Sequence, residues 1–188
     1  MDEPTYFNPA YPPANLKLER AIGKFIIAWA ILEESLDGSI AAILMIDATL
    51  SLCITANLGT KGKIDLLRSA VSMSHEMLDD ELVKDAHSAL AEISTLSGEF
   101  RNSLIHGAPF CLASDKEGHE WRWGRTSART FMDFRSAPYT AERWQEATAK
   151  VKTTTKKWCR IWQIIWHEIA AIPRDKRDWH YAYGMKPL

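Results

Sequence analysis

Cysteine is scarce in this chain of 188 residues, and the little there is does not pair: Cys53, Cys111 and Cys159 stand far apart, odd in number and without a CxxC spacing. That excludes a disulfide framework and a structural zinc site, and it makes a reduced, cytoplasmic setting the simplest expectation. Long apolar runs are missing as well. The longest, Phe25 to Leu32, is closed off by Glu33, Glu34 and Asp37, far short of the roughly 18–20 residues of a membrane span. The start, Met1-Asp2-Glu3-Pro4, has neither the basic opening nor the apolar stretch of a signal peptide. A soluble intracellular protein without a membrane contact is expected. No GxxxxGK[ST], GxGxxG or GxSxG occurs, and His75, His87, His119, His167 and His180 form no HxxxH or HExxH. P-loop, dinucleotide-fold, serine-hydrolase and metal-site readings fall away, and no cofactor is expected.

What is present is the composition of one ordinary globular domain, 46% hydrophobic and 25% charged, long enough to bury a core without staples. The net charge of −1 hides an asymmetry. Residues 1–100 carry 7 Lys/Arg against 15 Asp/Glu, whereas residues 101–160 carry 12 against 6. One anion-attracting face on an otherwise acidic surface is the implication.

Periodicity predicts an all-α chain, a long-helix bundle of the four-helix type with a small β-hairpin inserted before its last helix. Pro4, Pro9, Pro12 and Pro13 make residues 1–15 an extended arm. Asn15 caps a first helix over residues 16–46, with Leu18, Ile22, Phe25, Trp29, Leu32, Leu36, Ile40 and Ile43 on its apolar side. A second helix is expected over residues 50–57, and a third from near Gly62 carrying Ile64, Leu67, Val71 and Met73. Asp79/Asp80 open a fourth, whose stripe runs Leu82, Ala86, Ala89/Leu90, Ile93, Leu96, Phe100 and Leu104 until Gly107 and Pro109 stop it. Asp115-Lys116-Glu117-Gly118 has the composition of a hairpin turn inside an excursion over about 108–137. Thr140 then caps a last helix that Pro173 ends. Its seam, Trp144, Thr148, Val151, Thr155, Trp158, Trp162, Ile165, Ile169 and Ile172, alternates spacings of four and three. The bundle thus spans residues 16–173, with 174–188 as a tail.

Arg101-Asn102-Ser103-Leu104-Ile105-His106 is the stretch that can carry chemistry. An arginine supplies a planar, permanently charged fork for phosphate, and a histidine titrates near neutrality and can move a proton. Asn102 and His106 are four apart and share a helical face; Arg101 lies about 140° round from His106 on an ideal helix. The plainer reading is a helix end, where arginine and asparagine are common and the dipole favours a histidine. The segment resembles the Arg-x(4–6)-His signature of the HEPN superfamily (higher eukaryotes and prokaryotes nucleotide-binding). Trp29-Ala30-Ile31-Leu32-Glu33 is also similar to the first helix of several HEPN-like groups.

Many members of that family are metal-independent ribonucleases of toxin–antitoxin and anti-phage systems. They typically act as dimers whose motifs face one cleft. The resemblance implies that His106 is the general acid or base, that Arg101 holds the scissile phosphate and that Asn102 orients the pair. Cleavage by the 2′-hydroxyl would leave a 2′,3′-cyclic phosphate. RNA, a second copy of the chain and an antitoxin or other protein are the partners implied. Other members bind nucleotides or proteins without cleaving, so a non-catalytic binding module is the rival.

Three further features bear on this. Lys150, Lys152, Lys156, Lys157 and Arg160 lie off the seam of the last helix with no acid among them, a positive face suited to an RNA backbone or simply to water. Arg122, Arg125, Arg129 and Arg135 interleave with Trp121, Trp123 and Phe131, a mixture able to stack bases or to pack on the bundle. Glu33, at the edge of the first helix's apolar stripe, is a candidate partner for Arg101 or His106, or a plain surface acid. Lys61 and Lys63 read as loop phosphate contacts or solvated charges.

Overall fold

A computed structural model of the chain describes residues 15–44, 46, 48–75, 78–110, 122–125 and 140–171. Helix makes up most of them: α1 (Leu16–Leu44), α2 (Ala48–Thr55), α3 (Thr60–Met73), α4 (Asp80–Leu96), α5 (Asn102–His106) and α6 (Ala141–Ala171). The fold class is all-α. Three of the starts follow from local capping. Asn15 Oδ1 accepts the Leu18 amide at 3.0 Å, Asp79 Oδ1 the Glu81 amide at 2.9 Å, and Thr140 Oγ1 the Arg143 amide at 3.2 Å, each satisfying an amide that has no intrahelical partner. Two four-residue segments, Gly107–Phe110 and Arg122–Arg125, pair antiparallel, with Gly107 opposite Arg125. The expected arm over residues 1–14, the hairpin turn at 115–118, most of the excursion over 108–137 and the tail lie outside the described residues. No single helix among those described is long and apolar enough to cross a membrane.

The chain divides into two compact units, Met1–Trp29 with Leu96–Val151, and Ala30–Thr95 with Lys152–Leu188. In the first, Phe25 of α1 meets Trp144 of α6 edge-on with ring centroids 4.8 Å apart. Phe100 lies 6.0 Å from Phe25 and 5.9 Å from Trp144, and Trp29 stacks on Phe25. These are the separations at which aromatic rings attract beyond their buried area. At the rim, the hydrogen bond from Lys17 holds the Glu142 carboxyl below its ordinary value. What that exposed pair contributes is present above the usual carboxyl range and is lost as the pH falls through it.

In the second unit Leu32, Leu36, Ile40 and Ile43 of α1, Ile64, Leu67 and Val71 of α3, Leu90 and Ile93 of α4, and Trp158, Ile165 and Ile169 of α6 are buried. Several polar groups in this core are answered. Trp158 Nε1 donates to Ser39 Oγ at 3.1 Å, and the same hydroxyl donates to the Ser35 carbonyl. Thr154 donates to Glu92 at 2.6 Å.

Several expectations are corrected here. Met73 is 46% exposed rather than core. Of the three tryptophans on the α6 seam, Trp144 and Trp158 are fully buried, but Trp162 is only half-buried and stacks on Trp158. The buried strip is also wider than the seam, taking in Ala147, Thr154 and Ile161, because a core-facing helix buries an arc of about 100° or more rather than a line. α1 stops at Leu44, α2 spans Ala48–Thr55 and α3 opens at Thr60.

Trp144→Ala empties the centre of the aromatic cluster and is expected to cost about 3–5 kcal/mol in denaturant unfolding. Lys63→Met is expected to cost about 2 kcal/mol by stranding Asp37, whose carboxylate Lys63 grips at 2.7 and 2.8 Å. The Lys63→Met/Asp37→Leu pair is expected to recover most of that loss in the same measurement.

Candidate functional site

The continuous helix expected from Asp80 to Leu104 is broken. α4 ends at Leu96, and Ser97–Arg101 form one π-helical turn before α5. The Asn102 amide donates to the Ser97 carbonyl, five residues back. A π-turn inserts one residue, which rotates everything after it by about 100° relative to the helix before. Phe100 is therefore the last residue of the buried stripe, at 5% exposure. Leu104, expected in the core, is only half-buried, and α5 buries none of its residues.

The rotation decides where the motif points. Arg101, Asn102 and Ser103 are half-buried, and His106 in the last turn of α5 is exposed. Arg101 Nη1 donates to Asn102 Oδ1 at 3.2 Å, so the structure joins these two side chains. His106 stands at the solvent edge of the same short helix. Gly107 continues it with φ −103° and ψ 165°, extended backbone open to any residue. The helix is stopped by the chain entering the Gly107–Phe110 segment and not by the glycine-type turn expected.

Arg143, which sequence reasoning passed over, belongs to this neighbourhood. Its guanidinium carbon lies 5.7 Å from the Phe100 ring centroid, the geometry of a cation–π contact. Its one sequence signal is its place beside Trp144, a residue of the same aromatic cluster.

The other candidates fall as follows. Glu33 is half-buried and accepts a hydrogen bond from the Thr60 hydroxyl of α3. Lys63, read as a phosphate contact or a solvated charge, is 7% exposed and is committed to Asp37; burial leaves it no reach to a ligand. Lys61 is exposed. Lys150, Lys152, Lys156, Lys157 and Arg160 are all exposed. They extend along about 15 Å of α6 and spread over about 160° of its circumference. Lys157 pairs with Glu92 at 3.6 Å; the other four have no ion pair among the described residues. The side chains of Arg122, Arg125, Arg129 and Arg135, with Trp121, Trp123 and Phe131, lie outside the described residues. Among those described, no three His, Cys, Asp or Glu side chains come together to hold a metal. No family model matches this chain, nor does any curated protein or solved structure.

Because their side chains are half-buried or exposed, Asn102→Ala and His106→Ala are each expected to change unfolding stability by less than about 1 kcal/mol. Phe100→Ala, immediately before the motif, is expected to cost about 3–5 kcal/mol in the same assay.

Proposed function

We propose that this chain is a HEPN-like, metal-independent endoribonuclease, cytoplasmic and homodimeric, with a toxin–antitoxin or phage-defence role. Its architecture is read as a four-helix-type bundle with a hairpin insertion over about 108–137. The observation that carries the reading is the π-turn Ser97–Arg101, whose last residue is the motif's arginine. Such turns cost helix regularity and are frequent at functional sites. Here it takes Leu104 off the buried stripe, so that every residue of α5 is half-buried or exposed while Phe100 stays anchored in the core.

In the proposed reaction His106 acts as general acid or base. As base it takes the 2′-hydroxyl proton while that oxygen attacks phosphorus; the P–O5′ bond breaks, and the leaving oxygen takes a proton from water. The products are a 2′,3′-cyclic phosphate and a 5′-hydroxyl. Arg101 holds the phosphate and offsets the charge that grows on it, which is the larger part of such catalysis. Asn102 keeps the guanidinium aimed through their hydrogen bond. Lys150, Lys152, Lys156, Lys157 and Arg160 offer the RNA backbone a basic strip whose binding weakens with salt. A protein-binding module without catalysis is the second reading. It is favoured by α2, which buries Ser51 and Thr55 while Leu50, Leu52 and Ile54 stay 53%, 60% and 39% exposed.

His106→Ala and Arg101→Ala are each expected to lower RNA cleavage about a hundredfold or more, with the wild type unaffected by a chelator. Cleavage undiminished in either variant, from preparations free of contaminating nuclease, overturns the nuclease and leaves the binding module.

A further inference from the structure

The outer side of α1 carries a second seam. Arg20, Lys24, Ile27, Ile31, Glu34 and Gly38 follow one another at spacings of four, three, four, three and four, and all six are exposed. They belong to one uninterrupted helix, so their alignment follows from helical geometry alone. Ile27 is 64% and Ile31 53% exposed, with Ile26 beside them at 51%. Together these three present on the order of 300 Å² of apolar surface, as much as the largest patch on many monomers. Ile27 lies about 200° round the helix from Phe25, so this seam points away from the side that packs on Phe100.

Its charges are ordered. Arg20 and Lys24 precede the isoleucines and Glu34 follows them, and none of the three has an ion pair among the described residues. Two such helices laid antiparallel place Ile27 of one copy on Ile31 of the other and Lys24 of each against Glu34 of the other. A parallel pairing would set like charges together. At Gly23 and Gly38 an added Cβ would meet nothing within 4 Å, so the backbones have room to approach at both ends.

We infer that the outer face of α1 is a docking surface for a second copy of this chain, in a two-fold antiparallel pairing centred between Ile27 and Ile31. The three isoleucines of each copy would bury about 600 Å² in total, the apolar centre of an interface of standard size, with charged residues at its rim. An isologous contact of this kind closes on itself and leaves no surface to propagate. It is separate from any groove between two motifs and does not rest on the nuclease reading.

Sedimentation equilibrium of the full chain at about 100 µM, where a micromolar dimer is nearly complete, tests it. The wild type is expected to be at least dimeric, and Ile27→Asp is expected to halve its mass, with a melting temperature equal to the wild type's at high dilution, where both are monomeric. Lys24→Glu and Glu34→Lys are each expected to weaken association about tenfold, and the double exchange to restore it. A monomeric wild type overturns the proposal, as does an assembly untouched by Ile27→Asp or a double exchange that restores nothing. A lower melting temperature at constant mass would assign the face to the chain's own remaining segments instead. A wild type that cleaves RNA while monomeric would defeat this inference and the homodimeric part of the nuclease reading, leaving the cleavage chemistry standing.

Discussion

Three rings set the position of everything that bears on function in the motif-carrying unit. Phe25, Phe100 and Trp144 touch pairwise at 4.8 to 6.0 Å, tying α1, the π-turn and α6 to a common point. Phe100 cannot leave that cluster without opening a cavity the size of an aromatic side chain. The extra residue of the π-turn is therefore absorbed after it, and Leu104, next on the stripe, leaves the core. Anchoring and exposure are thus two sides of a single packing constraint.

The same economy governs the charges. Several buried polar groups are met by a neighbour: Ser39 serves Trp158 and Ser35 at once, and Lys63 grips Asp37 with both carboxylate oxygens. Unanswered polar burial would cost about 1–3 kcal/mol per group. α6 shows the contrast on one helix. Its inner side buries Trp158 and Thr154, and its outer side keeps Lys152, Lys156 and Arg160 in water. Cations placed this way cost nothing in desolvation and remain available to an anion.

The parts legible in the sequence were those decided by neighbours a few residues away. Asn15, Asp79 and Thr140 act as caps because a side-chain oxygen needs only the next turn to find its amide. The stripes through Phe25, Leu32 and Leu36, and through Leu90, Ile93 and Leu96, are buried as their spacing requires. Arg101, Asn102 and His106 could be picked out as a group because guanidinium, amide and imidazole stand within six residues. The π-turn was not legible. Ser97-Gly98-Glu99-Phe100-Arg101 contains no residue that an α-helix excludes, and the extra residue appears only once Phe100 is held by partners on α1 and α6. Lys63 was misread for a similar reason, since Asp37 is 26 residues away.

Composition and period alone determined that this chain would be helical, where most helices begin, most of the residues that face inward, and that guanidinium, amide and imidazole groups stand together before Gly107. These are local matters, written in side-chain chemistry and in the 3.6-residue turn. Tertiary contact alone decided that the helix carrying the cluster is broken, that Arg101 bonds to Asn102 beyond the buried stripe, that Lys63 is a structural ion and that a row of isoleucines on α1 faces solvent. All but the bond between the neighbours Arg101 and Asn102 depend on which distant side chain arrives alongside, and that is settled only when the helices pack.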